Sequence, residues 1–453
     1  MHRVLFCLAL AAGLAVTTSA QDAPRWVTLE GPFDLCEHPD SGEEVAGVNR
    51  LRQSAQAKGL AKTATFEVTY TGFTPQAEAA FQAAVDIWAS HIESSVPIRV
   101  DASFTTQAAG VLGGASAGRV HAQFGAGITS TWYGSPLADA LAGRDLCAGT
   151  ACAGAPDIVA EFASNRSDWY FGTDGNTPSG QFDFVSVVLH ELGHGLGFFG
   201  SLARDDADSS NGTECTGTEG DICHSFVGLT SAGFPVVFDR FVEDPAGVSI
   251  LNTTEYPNPS APGGPLGVLV QSGELFWDSP SVLLVNGNVR AEVYAPNPFQ
   301  DGSSFAHWDE DQFPARSPNA LMTPQIGRRE SYQDPGPATC ALFQDIGWTL
   351  GDGCTRLVVD REPGPLAESG IQIEADGPNP FRQSTALRVR LAEPQTLRAA
   401  LHDALGREVR VLYDGLAADR VVLRITGDLA PGVYVVRVEG EQGRATASLV
   451  RVR

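Results

Sequence analysis

The stretch FDFVSVVLHELGHGLGFFG, residues 182–200, is apolar nearly all round a helix, so it belongs inside a core rather than on a surface. It nevertheless carries His190, Glu191 and His194. Burying those three without partners would be costly, so the run needs a reason to keep them. Histidines four apart share one helix face. With a glutamate beside them, the pattern His-Glu-x-x-His supplies two metal ligands and a general base for hydrolysis. Gly197 provides the stop. Upstream, TFEVTYTGF, VPIRVDASF and DIVAEFAS (157–164) read as strands, and PQAEAAFQAAVDIWASHI as a helix with Phe81, Val85 and Trp88 on its apolar face. The expectation is an α+β lobe with the histidine helix at its floor.

A catalytic zinc ion takes three protein ligands and keeps a fourth position open. Gly200 stands where a compact zinc-protease pattern, His-Glu-x-x-His-x-x-Gly-x-x-His, has its third histidine. Of the nine histidines, His2 belongs to the N-terminal leader and His402 to a separate C-terminal region. His38 sits in an irregular segment, and His91 ends a helix facing Glu93 and reads as solvated. His121, His224 and His307 remain. A glutamate ligand is the other option, and Glu214, Glu219 and Glu243 lie at usable spacings, none in a convincing helix. The chain has two methionines, the initiator and Met322, and the second follows His307 by 15 residues in GSSFAHWDEDQFPARSPNALMTP.

HELGHGLGF, a long insertion, AHWDE and then ALMTP together resemble the leishmanolysin-type metzincins, over roughly residues 150–350. The resemblance implies a metzincin-like zinc protease domain in which an inserted segment displaces the third histidine downstream. It makes His190, His194 and His307 the zinc ligands, Glu191 the catalytic base, and Met322 the residue of the Met-turn beneath the metal. The insertion would span about 201–306. The implied activity is that of a zinc metalloendopeptidase acting on a protein or peptide substrate. DIVAEFAS is expected to form the edge along which an extended substrate pairs. A surface adhesin or binding protein with a degenerate protease fold is the competing class, and hydrolysis of a non-peptide bond is a third.

The remaining features concern compartment and organisation. Two early basic groups, an apolar run from Val4 to Val16 and small residues at Thr18 and Ala20 predict a signal peptide over 1–20. No later segment is apolar for long enough to span a membrane. Cys147 with Cys152, Cys215 with Cys223, and Cys340 with Cys354 are near neighbours, which predicts local disulfides in an oxidising compartment. Cys36 is left over, either as an unpaired or differently paired structural cysteine or as a thiolate that could occupy the fourth zinc position and hold the enzyme latent. Residues 21–62 are therefore a candidate pro-region. The net charge of −24, with Lys58 and Lys62 the only lysines, makes nucleic acid and anionic membranes poor partners. Asp205, Asp206 and Asp208 offer oxygens for Ca2+, at a spacing that fits no standard loop.

The catalytic lobe is expected over 63–356 and a linker over 357–370. Residues 371–453 then alternate in short strands and predict a small all-β sandwich domain. GPNPFRQSTALRVRL, LHDALGREVRVLYDG and LAPGVYVVRVEG resemble the C-terminal sorting domain of type IX secretion cargo, with Pro378, Asn379, Pro380, Phe381, Gly406 and Gly432 in the typical places. That resemblance implies delivery by the type IX machinery, to the medium or a bacterial cell surface.

Overall fold

The structure is a computed structural model. It describes residues 25–28, 34–37, 60–205, 220–224 and 234–359, and 371–451 apart from 376–380, 392, 404–406, 419, 427–428, 431 and 441–442. The expected leader at 1–20, His38, Cys215, Asp206, Asp208, Glu214, Glu219, Pro378, Asn379, Pro380 and Gly406 lie outside the described residues.

In chain order the first lobe contains β1 (Arg25–Thr28), β2 (Asp34–Glu37), β3 (Phe66–Thr71), α1 (Pro75–His91), β4 (Ile92–Glu93), β5 (Ile98–Thr105), β6 (Val111–Ala117), β7 (Arg119–Ala122) and β8 (Tyr133–Gly134). There follow α2 (Ser135–Ala142), β9 (Ile158–Ala163), β10 (Trp169–Tyr170), β11 (Phe182–Asp183) and α3 (Phe184–Leu196). The main sheet has the order β2-β6-β9-β5-β3. Strands β3, β5 and β9 run parallel, whereas β6 is antiparallel to β9 and to β2. The fold is mixed α and β.

Local chemistry accounts for the two long helices. Thr74 caps α1 by accepting from the Ala77 amide at 3.2 Å, and Pro75 occupies the first turn. Phe81, Val85 and Trp88 turn inward, and Trp88 Nε1 donates to the carbonyl of Leu189 in α3 at 2.9 Å. Every residue of α3 is buried, as its all-round apolar pattern requires. Gly197 ends it in the left-handed region (φ 129°), its own amide donating to His194 O and that of Phe198 to Gly193 O.

Two expectations need correction. DIVAEFAS forms β9, but β9 is flanked by β6 and β5 and is no edge. The neighbour that covers it, VLGGASA in β6, lacks the alternation that marks a half-buried strand, because every one of its residues is buried. A Cβ on Gly113 would lie 2.6 Å from the Phe162 ring, so glycine permits the close approach of β6 to β9. His91, expected in solvent, is 4% exposed. Its Nδ1–H donates to Ile87 O at 2.6 Å, and Gly353 leaves room for its ring.

Cys147–Cys152 and Cys340–Cys354 are disulfides, with Cα atoms 5.1 and 5.3 Å apart. Cys223 is also disulfide-bonded. The helix at 352–359 runs three residues into the expected linker. Beyond it, residues 371–451 build a three-stranded sheet (371–375, 384–391, 420–426) and a four-stranded one (408–417, 395–403, 432–440, 443–451). These sheets enclose an apolar cluster of their own, including Leu387, Val389, Leu401, Leu423, Val436 and Leu449. Among the described residues, no helix is long and apolar enough to cross a membrane.

Candidate metal centre

The structure brings His190, His194 and His307 together, with one ligand atom from each lying within 4.8 Å of the others. All three are buried, His194 and His307 completely. The Nε2 of His190 is 3.0 Å from that of His194 and 3.2 Å from that of His307. The opposite nitrogen of each ring is tied to a backbone carbonyl. His190 Nδ1 meets Leu321 O at 2.6 Å, His194 Nδ1 meets Phe198 O at 2.8 Å, and His307 Nδ1 meets Ser303 O at 2.8 Å. A carbonyl only accepts, so each Nδ1 carries the proton and each Nε2 presents a lone pair to the shared point.

This donor set fits a metal ion. Lone pairs that converge within about 3 Å repel unless a cation lies between them, and fixing the tautomer through the second nitrogen is how proteins orient histidine ligands. A tetrahedral zinc with Zn–N near 2.0–2.1 Å needs N–N separations of about 3.3 Å. Burial pushes His190 down to about 4, and burial, with His190 and His307 close by, holds His194 well below the usual histidine range. Both rings are therefore neutral near pH 7, the form that binds metal.

The surrounding elements explain how residues 117 apart meet. A 3₁₀ turn at Ala320–Met322 supplies the Leu321 carbonyl to His190. The Trp308 amide donates to Met322 O at 2.8 Å, which ties the turn to the segment bearing His307. Met322 is fully buried, and a Cβ on Gly193, between the two helix histidines, would lie 2.8 Å from its sulfur. Glu191 is fully buried on α3, beside His190 in sequence. A small pocket of about 10 Å3, room for one water molecule, lies beside His190, with Val187, Leu321, Thr323, Ile326 and Tyr332 among its walls.

The other candidate ligands lie elsewhere. His224, in a short strand paired with Leu202–Arg204, has its Nδ1 2.8 Å from Ser201 Oγ and 3.8 Å from Asp239. Asp239 accepts from the Ser201 amide, the Ser201 hydroxyl and the Val236 amide at 2.9, 2.5 and 3.0 Å. His224 is thus part of a buried polar clasp that holds the insertion against the end of α3. His121 is buried on β7 opposite Trp26 and Tyr133, where burial pushes it down to about 4. Glu243 pairs with Arg290 at 2.5 Å. Asp205 belongs to no metal-ligating group among the described residues.

The three supporting carbonyls and the Ser201–Asp239 clasp leave no mark in the sequence. Carbonyls have no sequence signature, and the clasp joins residues 38 apart through a fold-dependent contact.

No protein-family profile matches the chain, and no curated protein sequence matches it. Among solved structures, the solution NMR structure of a lipoprotein from Bacteroides thetaiotaomicron aligns at 12% identity, covering 21% of this chain and 87% of that one with a TM-score of 0.13. The established description of the chain is thus a mixed α/β fold with local disulfides and a buried three-histidine group able to hold a metal ion.

Proposed function

We propose that the chain is a zinc-dependent endopeptidase of the metzincin type. The observation that carries this reading is the convergence of three Nε2 atoms, each backed by a carbonyl, around a helix that also buries Glu191. A bound zinc ion would polarise a water molecule and the scissile carbonyl, bringing the water's pKa to roughly 7. His190, His194 and His307 would hold the ion, with their Nδ1 protons locked on backbone carbonyls so that no ring can rotate away. Glu191 would take the proton from the attacking water and pass it to the departing amine.

The displaced third ligand supports a leishmanolysin-like arrangement, in which the segment 201–306 folds between the second and third histidines. Disulfides, the leader and the C-terminal sandwich support export and delivery by a type IX route, to the medium or a bacterial surface. The rival reading, a binding protein on a degenerate protease fold, gives no task to a carboxylate buried among metal ligands. The test is zinc per chain, by elemental analysis, for the mature protein with and without His307→Ala, together with hydrolysis of a mixed peptide substrate. Near one zinc in the parent, strong loss in the variant and hydrolysis that follows zinc are expected. Zinc retained by the variant would remove His307 from the ligand set.

A further inference from the structure

We infer that the outer face of the three-stranded sheet at 371–375, 384–391 and 420–426 binds a linear acidic polysaccharide through Arg388, Arg390, Arg420 and Arg424. Strand alternation fixes which side chains form that face. Thr385, Leu387 and Val389 of one strand and Leu423 and Ile425 of the next are buried, so the arginines between them point outward. Arg390, Arg420 and Arg424 are exposed, and Arg388 is half-buried. In register, Arg390 stands directly opposite Arg420, and Arg388, opposite Val422, is diagonal to both Arg420 and Arg424. The three strands carry these four arginines and one acidic residue, Glu374, placed opposite Arg388. Arg398 pairs with Glu408 and Arg407 with Asp403, whereas Arg420 and Arg424 have no salt bridge among the described residues. Like charges directly opposite one another destabilise a sheet, and an anion lying across the pair removes that repulsion.

The charge of the chain is divided unevenly, and that division selects the partner. Residues 371–453 hold 12 of the 30 basic residues and 10 of the 54 acidic ones, so the net charge of −24 resides in the rest of the molecule. Exposed charges act over about 8 Å at physiological ionic strength. The arginines therefore attract what touches this face, while the acidic remainder repels anything broad. A membrane or a nucleic-acid duplex is broad, whereas a single flexible polymer can lie along the strands and touch little else. A protein partner fits poorly, because the centre of a protein interface is depleted of charge and rich in aromatic rings. The three strands carry no aromatic residue, which leaves the bases of a single-stranded nucleic acid nothing to stack on. Guanidinium forks instead bind carboxylate oxygens two at a time. Neighbouring strands lie about 4.8 Å apart and alternate residues of one strand about 6.8 Å apart, so the four heads form a flat grid that suits a repeating polymer. Val422, 42% exposed between Arg420 and Arg424, adds an apolar contact for a sugar ring. None of this depends on the metal centre or on the peptidase reading.

The test follows binding of fluorescently labelled polygalacturonate, which bears one carboxylate per sugar, to the full chain by anisotropy at about 0.15 M salt. Saturable binding that weakens as salt rises is expected. Arg420→Gln together with Arg424→Gln should weaken it at least about tenfold. The same variant removes one member of the opposed arginine pair, so it should melt no lower than the parent, which separates lost binding from lost folding. Arg390→Gln, on the facing strand, relieves the same repulsion and should also weaken binding. Arg407→Gln together with Arg444→Gln removes an equal charge elsewhere on the sandwich and should leave affinity within about twofold of the parent. No binding by the parent would overturn the assignment, as would equal weakening by the two double variants. Equally tight binding of neutral dextran would show that charge is not what is recognised. Tighter binding of a single-stranded oligonucleotide of equal charge, or of vesicles containing phosphatidylglycerol, would give the face to a different partner and overturn the polysaccharide. Self-association without polymer, abolished by Arg420→Gln with Arg424→Gln in sedimentation, would give it to a second copy of the chain instead.

Discussion

Phe305 occupies the space that any side chain at position 200 would need: a Cβ built on Gly200 would lie 1.9 Å from the Phe305 ring and 2.9 Å from Asp239 Oδ1. Position 200 is where a compact metzincin pattern has its third histidine. Here the returning insertion fills that place with Phe305, which precedes His307 by two residues and holds a left-handed backbone at φ 74°. Such strain in a bulky residue costs on the order of 1–3 kcal/mol and persists only where packing enforces it.

Gly200→Ala therefore acts at a distance on the metal. Overpacking of a filled core costs about 1–3 kcal/mol, and here the ring that must move is covalently close to a ligand. Zinc affinity should fall at least about tenfold, read by competition with a chelator, together with a lower melting temperature. A variant that kept parental zinc affinity would show that His307 is placed independently of Phe305.

Met322 tests the floor of the site. Its side chain is fully buried against Gly193 and is held by no polar bond, so its contribution is packing. Met322→Leu keeps most of the volume and should cost less than about 1.5 kcal/mol, while Met322→Ala should cost about 2–5 kcal/mol. Urea unfolding of the zinc-loaded protein measures both. Equal costs for the two would mean that the floor collapses onto the gap, and that sulfur-sized filling is unnecessary.

What was legible in the sequence followed from periodicity and spacing. The α3 pattern declared a buried helix because its apolar residues surround the axis, and His190, Glu191 and His194 could only be read as chemistry in that setting. His307 was legible as one of three surviving histidines, and the resemblance to leishmanolysin-type enzymes singled it out. Strand β6 was not legible. VLGGASA is glycine- and alanine-rich because its neighbour Phe162 needs the room, and small residues carry no strand signature. Missing β6 made β9 look like an edge. His91 was misread for a related reason, since its burial depends on Gly353, 262 residues away in the chain.

Asp345 predicts a pH-dependent stability that lies outside the metal centre. It is half-buried on the helix at 337–346, and loss of hydration pushes its carboxyl up to about 7 against the opposing pull of Ser279. A carboxyl raised in the folded state favours folding most below its unfolded value near 3.8, and that advantage is lost as pH climbs to about 7. The loss across this window is on the order of 4 kcal/mol. Asp345→Asn keeps an acceptor and removes the titration, so the variant should melt higher than the parent at pH 8 and nearly with it at pH 4. Parallel melting curves at every pH would show that Asp345 is ionised in the folded protein.

Glu191 separates catalysis from mere metal binding. Its carboxylate is fully buried on the helix that carries two of the ligands, and the three rings already fill the nitrogen positions a zinc site needs. Glu191→Gln preserves shape and hydrogen-bonding capacity but cannot accept a proton. If the residue is the base, zinc content should stay near that of the parent while hydrolysis falls by about 10²–10⁴. If the residue instead stabilises the ion by charge, zinc affinity should fall and the remaining loaded fraction should turn over at the parental rate. Under the binding-protein reading, the parent itself hydrolyses nothing, and the substitution changes neither zinc content nor activity. Measuring zinc and rate on the same preparation therefore assigns Glu191 to one role only.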